Sequence, residues 1–277
     1  MAVRKNECFK YYYTMQSIAN IQIGSILFID IETAPNWLNL NDAPENVQHE
    51  WVEKFRFKPD APKTSENLDT DTNHGDLEYM YEWELKKYCA SLWKREASLN
   101  PEFSRIVCIS VGFMFEGNFY LKSYIHQNEG DLLNTFKEDL RQFTQKNHAA
   151  RLCAHYGKGF DYPFIAKRML INRIVLPQLL DTSHLKPWEQ INLDTQEIWK
   201  IGGFNSSGLA ALCLAFGIPT PKDNMNGSQV AGYYHSGRID DIAAYCEKDV
   251  YALLNVFKAM RLEEPVSINN LISLNHE

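Results

Sequence analysis

The chain reads as an α/β protein, a central mixed sheet flanked by helices. Three observations predict this: apolar strand-like runs near residues 21–31 and 105–125, a last third with helical periodicity, and a strand, hairpin, helix, strand order between them. With 277 residues, 45% of them hydrophobic, the chain can bury a full-sized core. We read one domain over residues 21–262, with an N-terminal extension at 1–20, an insertion at 35–100 and a C-terminal tail at 263–277.

The run IQIGSILFIDI at 21–31 is apolar on both alternating faces until it meets Asp30 and Glu32, as a strand buried on both sides would be, and the carboxylates are expected to mark its end. Residues 35–100 change character. Trp37, Trp51, Phe55 and Phe57 lead into the polar stretch KPDAPKTSENLDTDTNHGDL and then a helical pattern through YMYEWELKKYCASLW, which reads as an insertion carrying a loop. RIVCISVGFMF and NFYLKSYI flank the turn signal Glu116-Gly117-Asn118 and so form a hairpin. Leu132, Leu133, Phe136, Leu140 and Phe143 then fall at helical spacing over 129–146. RLCAHY is a strand broken by Gly157-Lys158-Gly159, and a helix begins near Pro163. SSGLAALCLAFG and DDIAAYCEKDVYALLNVFKAM are helices joined by the turn-rich PTPKDNMNGS.

A net charge of −7 argues against a protein that grips a long duplex through a basic face, because Lys and Arg contacts to phosphate supply most nonspecific affinity. A nucleic-acid substrate would have to be held locally, by cations in an acidic pocket that reverse the sign of charge where a phosphate sits. The six cysteines (8, 89, 108, 153, 213, 246) have no zinc spacing and read as reduced, buried thiols. No run has the length of a signal peptide core or a membrane span, so a cytoplasmic protein without membrane association is expected. With Met15 just ahead of the first strand, residues 1–14 are either a loose extension or sequence upstream of the native start.

Three places carry candidate chemistry. Asp30 and Glu32, two apart on a strand, project from one face, where they repel unless one protonates or a cation intervenes; the alternative is that both sit in water past the strand's end. Asp249 falls within the apolar stripe of Ile242, Tyr245, Cys246, Leu253, Val256 and Met260, with Tyr245 one turn earlier on the same face. A core-facing carboxylate needs a cation or base nearby; the alternative is a marginal Asp249 paired with Lys or Arg. Asp161, in FDYP before a helix, is either a metal ligand or an ordinary N-cap.

Taken together, FIDIET (28–33), HYGKGFDYP (155–163) and YCEKD (245–249) resemble the three motifs of the DEDD superfamily of 3′-to-5′ exonucleases, over roughly residues 25–260. The histidine branch would carry His where Ala244 stands, so Tyr245 makes the chain similar to the tyrosine branch, which includes the proofreading domains of family B DNA polymerases. RIVCISVGF, LDTSHLKPWE and PKDNMNGSQV resemble a bacterial family of stand-alone exonucleases related to those domains. There is one departure, Tyr156 where the second motif usually has a substrate-side Asn.

The resemblance implies a ribonuclease H-like fold with a five-stranded mixed sheet. It also implies two divalent cations, Mg²⁺ or Mn²⁺, and hydrolysis of a nucleic acid with a free 3′ end, single-stranded DNA being the expected form, to nucleoside 5′-monophosphates. On that analogy Asp30 bridges the two ions, Glu32 and Asp249 complete the ion that activates water, Asp161 supports the second ion, and Tyr245 aligns the water. The main chain at Ile31, the Thr33 hydroxyl, Tyr156 and Phe160 would meet the substrate, while Lys158, Lys186 and Lys222 are candidates for phosphate contacts. No obligate protein partner is implied. An RNA-trimming enzyme and a binding protein without turnover remain open beside this reading.

Overall fold

The computed structural model describes residues 18–63, 74–219 and 225–275. Residues 1–17 of the expected extension, part of the polar stretch in the insertion, and Lys222 lie outside the described residues. The chain divides into two compact units, one built from residues 1–32 and 106–277 and the other from 33–105.

The larger unit is organised by a six-stranded sheet in the order β5-β4-β1-β2-β3-β6. Its strands are β1 (Ile26–Pro35), β2 (Ser104–Phe115), β3 (Asn118–Tyr124), β4 (Arg151–Ala154), β5 (Leu193–Asp194) and β6 (Leu271–Ser273). β4 runs parallel to β1 and to β5, β6 parallel to β3, and β2 and β3 form the antiparallel hairpin around Glu116 and Gly117. The sheet is therefore mixed, as expected, but it has a sixth strand. β6, in the segment read as a C-terminal tail, pairs with β3 through Phe119–Leu271, Tyr120–Ile272 and Leu121–Ser273. A second correction concerns β1, which does not end at the carboxylates but continues through Asp30 and Glu32 to Pro35.

The pleat of β1 explains this. Leu27, Ile29 and Ile31 face one core, shared with Leu132, Leu133 and Phe136 of α3 (Glu129–Lys146) and with Phe164, Ile165 and Met169 of α4 (Asp161–Ile171). Ile26 and Phe28 face the other core, against Val250, Leu253 and Phe257 of the long helix α8 (Ile239–Met260) and against Leu212 of α6 (Leu209–Phe216). Asp30 and Glu32 continue the even-numbered row. A charge usually signals solvent, but these two prolong a buried face toward α8.

Helix ends follow local chemistry. Asn128 caps α3 by accepting from the N–H of Gly130 at 2.8 Å, and Asp194 caps α5 (Thr195–Lys200) by accepting from Gln196 N–H at 2.9 Å. Asp240 and Asp241 lie in the first turn of α8, where negative charge suits the helix dipole. The remaining short helix of this unit is α7 (Val230–His235). Buried Glu129, first residue of α3, accepts from Ile106 N–H (2.8 Å), Arg168 Nε (2.9 Å) and Asn172 Nδ2 (3.0 Å), tying α3 to β2 and α4. Glu129→Ala would leave a buried guanidinium without its carboxylate, an expected loss of ~3–5 kcal/mol in urea unfolding. A loss under 1 kcal/mol would show that the pair is dispensable.

The smaller unit contains α1 (Glu45–Phe55) and α2 (His74–Glu96) around an aromatic core of Trp51, Trp93, Phe55 and Phe103. Trp51 and Trp93 stack edge to face with centroids 4.9 Å apart, and their indole N–H groups donate to the carbonyls of Cys89 (3.0 Å) and Trp37 (2.9 Å). Buried tryptophans with satisfied N–H groups give this segment its own core. Among the described residues no helix is long and apolar enough to cross a membrane.

Candidate active site

Three elements of the larger unit bring the site together. β1 supplies Asp30 and Glu32 on the face toward α8, and α8 supplies Tyr245, Cys246 and Asp249. The loop after β4 ends on Asp161, the first residue of α4. Glu32, Asp161 and Tyr245 are buried, and Asp30 and Asp249 are half-buried. Two expectations change. Asp161 is not the N-cap of α4, a position that falls to Phe160, and the helix begins two residues before Pro163. Asp249 is half-buried at the edge of the stripe instead of fully core-facing.

The carboxylates act on one another through their charges. Burial, then the charges of Asp249, Glu32 and Asp161, push the Asp30 carboxyl well above its ordinary range, and the Cys246 thiol partly offsets this. Burial, Asp249, Cys108 and Asp161 do the same to Glu32. Asp161 is pushed up to about 7 by burial and by Asp194, while the backbone N–H groups of Asp161 and Ile31 donate to it and hold it down. The Tyr245 hydroxyl is raised by burial and by Asp249, Glu32 and Asp30, and it hydrogen-bonds Asp249. Asp30, Glu32 and Asp161 each resist ionisation here unless a cation is present.

Ligand atoms of Asp30, Glu32 and Cys246 lie within 4.8 Å of one another. The carboxylate oxygens suit a hard, oxygen-seeking ion such as Mg²⁺ or Mn²⁺. The thiol plays a different part, because burial raises its pKa first of all, so that it stays protonated. Its Sγ lies 3.3 Å from Asp30 Oδ2 and 3.4 Å from the Asp30 carbonyl, as a donor that fixes the carboxylate's rotamer. Sequence reasoning missed Cys246, since a thiol donor has no pattern of its own, and missed Asp194, the buried carboxylate behind the loop to Asp161.

The expected substrate-side residues fare differently. Ile31 N–H is spent on Asp161. Phe160 is half-buried, with its ring 5.2 Å from that of Phe164. Thr33, which belongs to the smaller unit, is buried and donates its hydroxyl to the Ser98 carbonyl at 2.7 Å. Tyr156 is exposed, and Lys158 pairs with Glu197 at 2.8 Å. His155 bonds the Thr195 hydroxyl (3.0 Å) and the Ser207 carbonyl (2.8 Å), a structural role that leaves it no metal to bind.

A mixed sheet flanked by helices, with acidic side chains converging at the middle strand, is consistent with a ribonuclease H-like exonuclease fold. Residues 97–268 match the family described as a predicted 3′-5′ exonuclease related to the exonuclease domain of PolB, and the chain belongs to that family. The matched segment contains Asp161, Tyr245 and Asp249 but begins after Asp30 and Glu32, whose carboxyls are raised by the charges of Asp161 and Asp249. A search of curated proteins finds no match.

Proposed function

We propose that this protein is a metal-dependent 3′-to-5′ exonuclease of the tyrosine branch of the DEDD superfamily, releasing nucleoside 5′-monophosphates from single-stranded DNA. The reading is supported by the ligand atoms of Asp30 and Glu32 lying with Cys246 within 4.8 Å of one another, and by Asp249 and Asp161 being near enough for their charges to raise both carboxyls. The catalytic unit is the larger one, which includes β6, with the smaller unit 33–105 inserted after the first motif.

Asp30, Glu32, Asp161 and Asp249 would hold two divalent cations. When bound, such a pair supplies an activated water and charge stabilisation for the departing 3′ oxygen. The chain's own residues do the positioning. Asp30, whose carboxyl feels the charges of Asp249, Glu32 and Asp161, would be a metal ligand, and the Cys246 thiol, 3.3 Å from its Oδ2, keeps it from rotating away. Asp161 is oriented by the Ile31 N–H. Tyr245 is kept protonated and is aimed through its bond to Asp249, so its hydroxyl can align a water molecule without taking a proton from it.

The reading is tested by a time course on 5′-labelled single-stranded DNA and RNA with Mg²⁺, Mn²⁺ or EDTA, beside Asp30→Ala. A metal-dependent ladder shortening from the 3′ end and absent in the variant is expected. Intact substrate with every metal would overturn the proposal and leave a nucleic-acid-binding protein of the same fold.

A further inference from the structure

We propose that Tyr156 is a stacking platform for an unpaired nucleobase of the strand that enters the carboxylate cluster. The identity of the ligand rests on the exonuclease reading; the placement of the ring does not. In the parallel register Phe28 stands opposite Cys153, so Ala154, the last residue of β4, is level with Ile29. The chain therefore leaves the sheet beside Asp30 and returns to the cluster at Asp161, whose carboxylate takes the N–H of Ile31. Tyr156 lies on the loop between these two points.

Its conformation is costly. Tyr156 has φ 65°, in the left-handed region that residues with a Cβ avoid, and it is 51% exposed. A strained residue persists where its surroundings over-determine it. Here its N–H donates to Asp194 Oδ1 at 2.9 Å, and its carbonyl accepts from Gly159 N–H (3.0 Å) and Phe160 N–H (2.9 Å). The Lys158 N–H donates to the other oxygen of Asp194 at 3.1 Å. Asp194 is itself buried and anchored at the start of α5.

The ring is braced as well. A Cβ on Gly159 would lie 2.4 Å from two ring carbons of Tyr156, so the glycine makes room for the ring to rest on the loop. Packing alone would reward a ring turned into the core. This one is held in solvent, on a turn clamped by a buried carboxylate, beside the acidic cluster. Stacking uses the π-face that every base has, so such a platform tolerates any sequence but needs a base free of its complement. It does not touch the 2′-OH and so accepts DNA and RNA alike.

The test is titration of a single-stranded oligonucleotide carrying 2-aminopurine at its 3′ end, whose fluorescence falls on stacking, with Ca²⁺ in place of Mg²⁺. Tyr156→Gly suits the positive φ, so it should hold or raise Tm while removing the ring. We expect the wild type and Tyr156→Phe to quench, and Tyr156→Gly to bind about tenfold more weakly without quenching. An oligonucleotide with an abasic 3′ residue should bind the wild type and Tyr156→Gly equally. Equal quenching by Tyr156→Gly, or no binding by the wild type, overturns the proposal. Quenching that depends on Tyr156 in a protein that never shortens a strand would support the platform while sinking the exonuclease reading. Strand shortening with quenching independent of Tyr156 would do the reverse.

Discussion

Asp30→Asn is expected to lower exonuclease activity about 10³-fold or more and, in EDTA, to raise the melting temperature. The first effect follows from removing a charged ligand from the centre of the cluster, on the scale known for loss of a preorganised electrostatic group. The second follows from the cost of the wild-type arrangement. Asp30 is raised well above its ordinary pKa by burial and by Asp249, Glu32 and Asp161, so its charged form opposes folding when no cation is bound. Asparagine keeps the shape and removes the charge, and each kcal/mol recovered raises Tm by roughly 2–4 °C at this size.

The pH dependence has a definite sign. For an acid whose folded pKa is raised, the native state binds more protons than the unfolded state between the two values, so stability falls as pH rises through that window and then levels off. For Asp161 the window runs from 3.8 to about 7. Thermal melts of the wild type in EDTA should therefore lose Tm from pH 5 to pH 7, and saturating Mn²⁺ should restore it increasingly as pH rises, because the ligands must be deprotonated to bind. His155, whose pKa burial lowers from 6.5, opposes this trend below pH 6.5 as a single group against the three raised carboxyls, whereas the lowered pKa values of Glu138 and Glu263 act in the opposite direction only in a lower range, where those acids protonate. A flat melt profile in EDTA, or an Asp30→Asn protein less stable than the wild type there, would contradict the view that this cluster is strained without metal.

Much of this site was legible because strand and helix periods are local. The even-numbered row of Ile26, Phe28, Asp30 and Glu32 needs only the pleat, and Tyr245 and Asp249 need only one helical turn. What was misread depended on partners distant in sequence. The carboxylates looked like the end of β1 because charge normally means water, whereas here the strand runs on under α8. β5 and β6 have two and three residues, too short for periodicity, and exist because β4 and β3 offer them edges. Cys246 read as an inert buried thiol, and its contact with Asp30 spans 216 residues. Thr33 looked available to substrate until the Ser98 carbonyl claimed its hydroxyl.

Tyr245→Phe separates alignment of water from metal binding. The phenol is raised above its ordinary pKa by burial and by the acids around it, so it stays neutral over the range in which activity would be assayed. A neutral hydroxyl hydrogen-bonded to Asp249 can orient water but cannot serve as the base. Removing it should lower kcat by about 10²-fold, the scale of loss when a reacting group is misplaced by about 1 Å. KM and the concentration of Mn²⁺ needed for half-maximal activity should stay as they are, because the four carboxylates remain. That pattern is the signature of an interaction made only in the transition state. The acid limb of the pH-rate profile, set by the carboxylates, should keep its position, and no alkaline limb should disappear. If Tyr245→Phe instead weakened Mn²⁺ dependence with kcat intact, the hydroxyl would belong to the metal site through Asp249. Unchanged kinetics would leave the water to be oriented by the carboxylates alone.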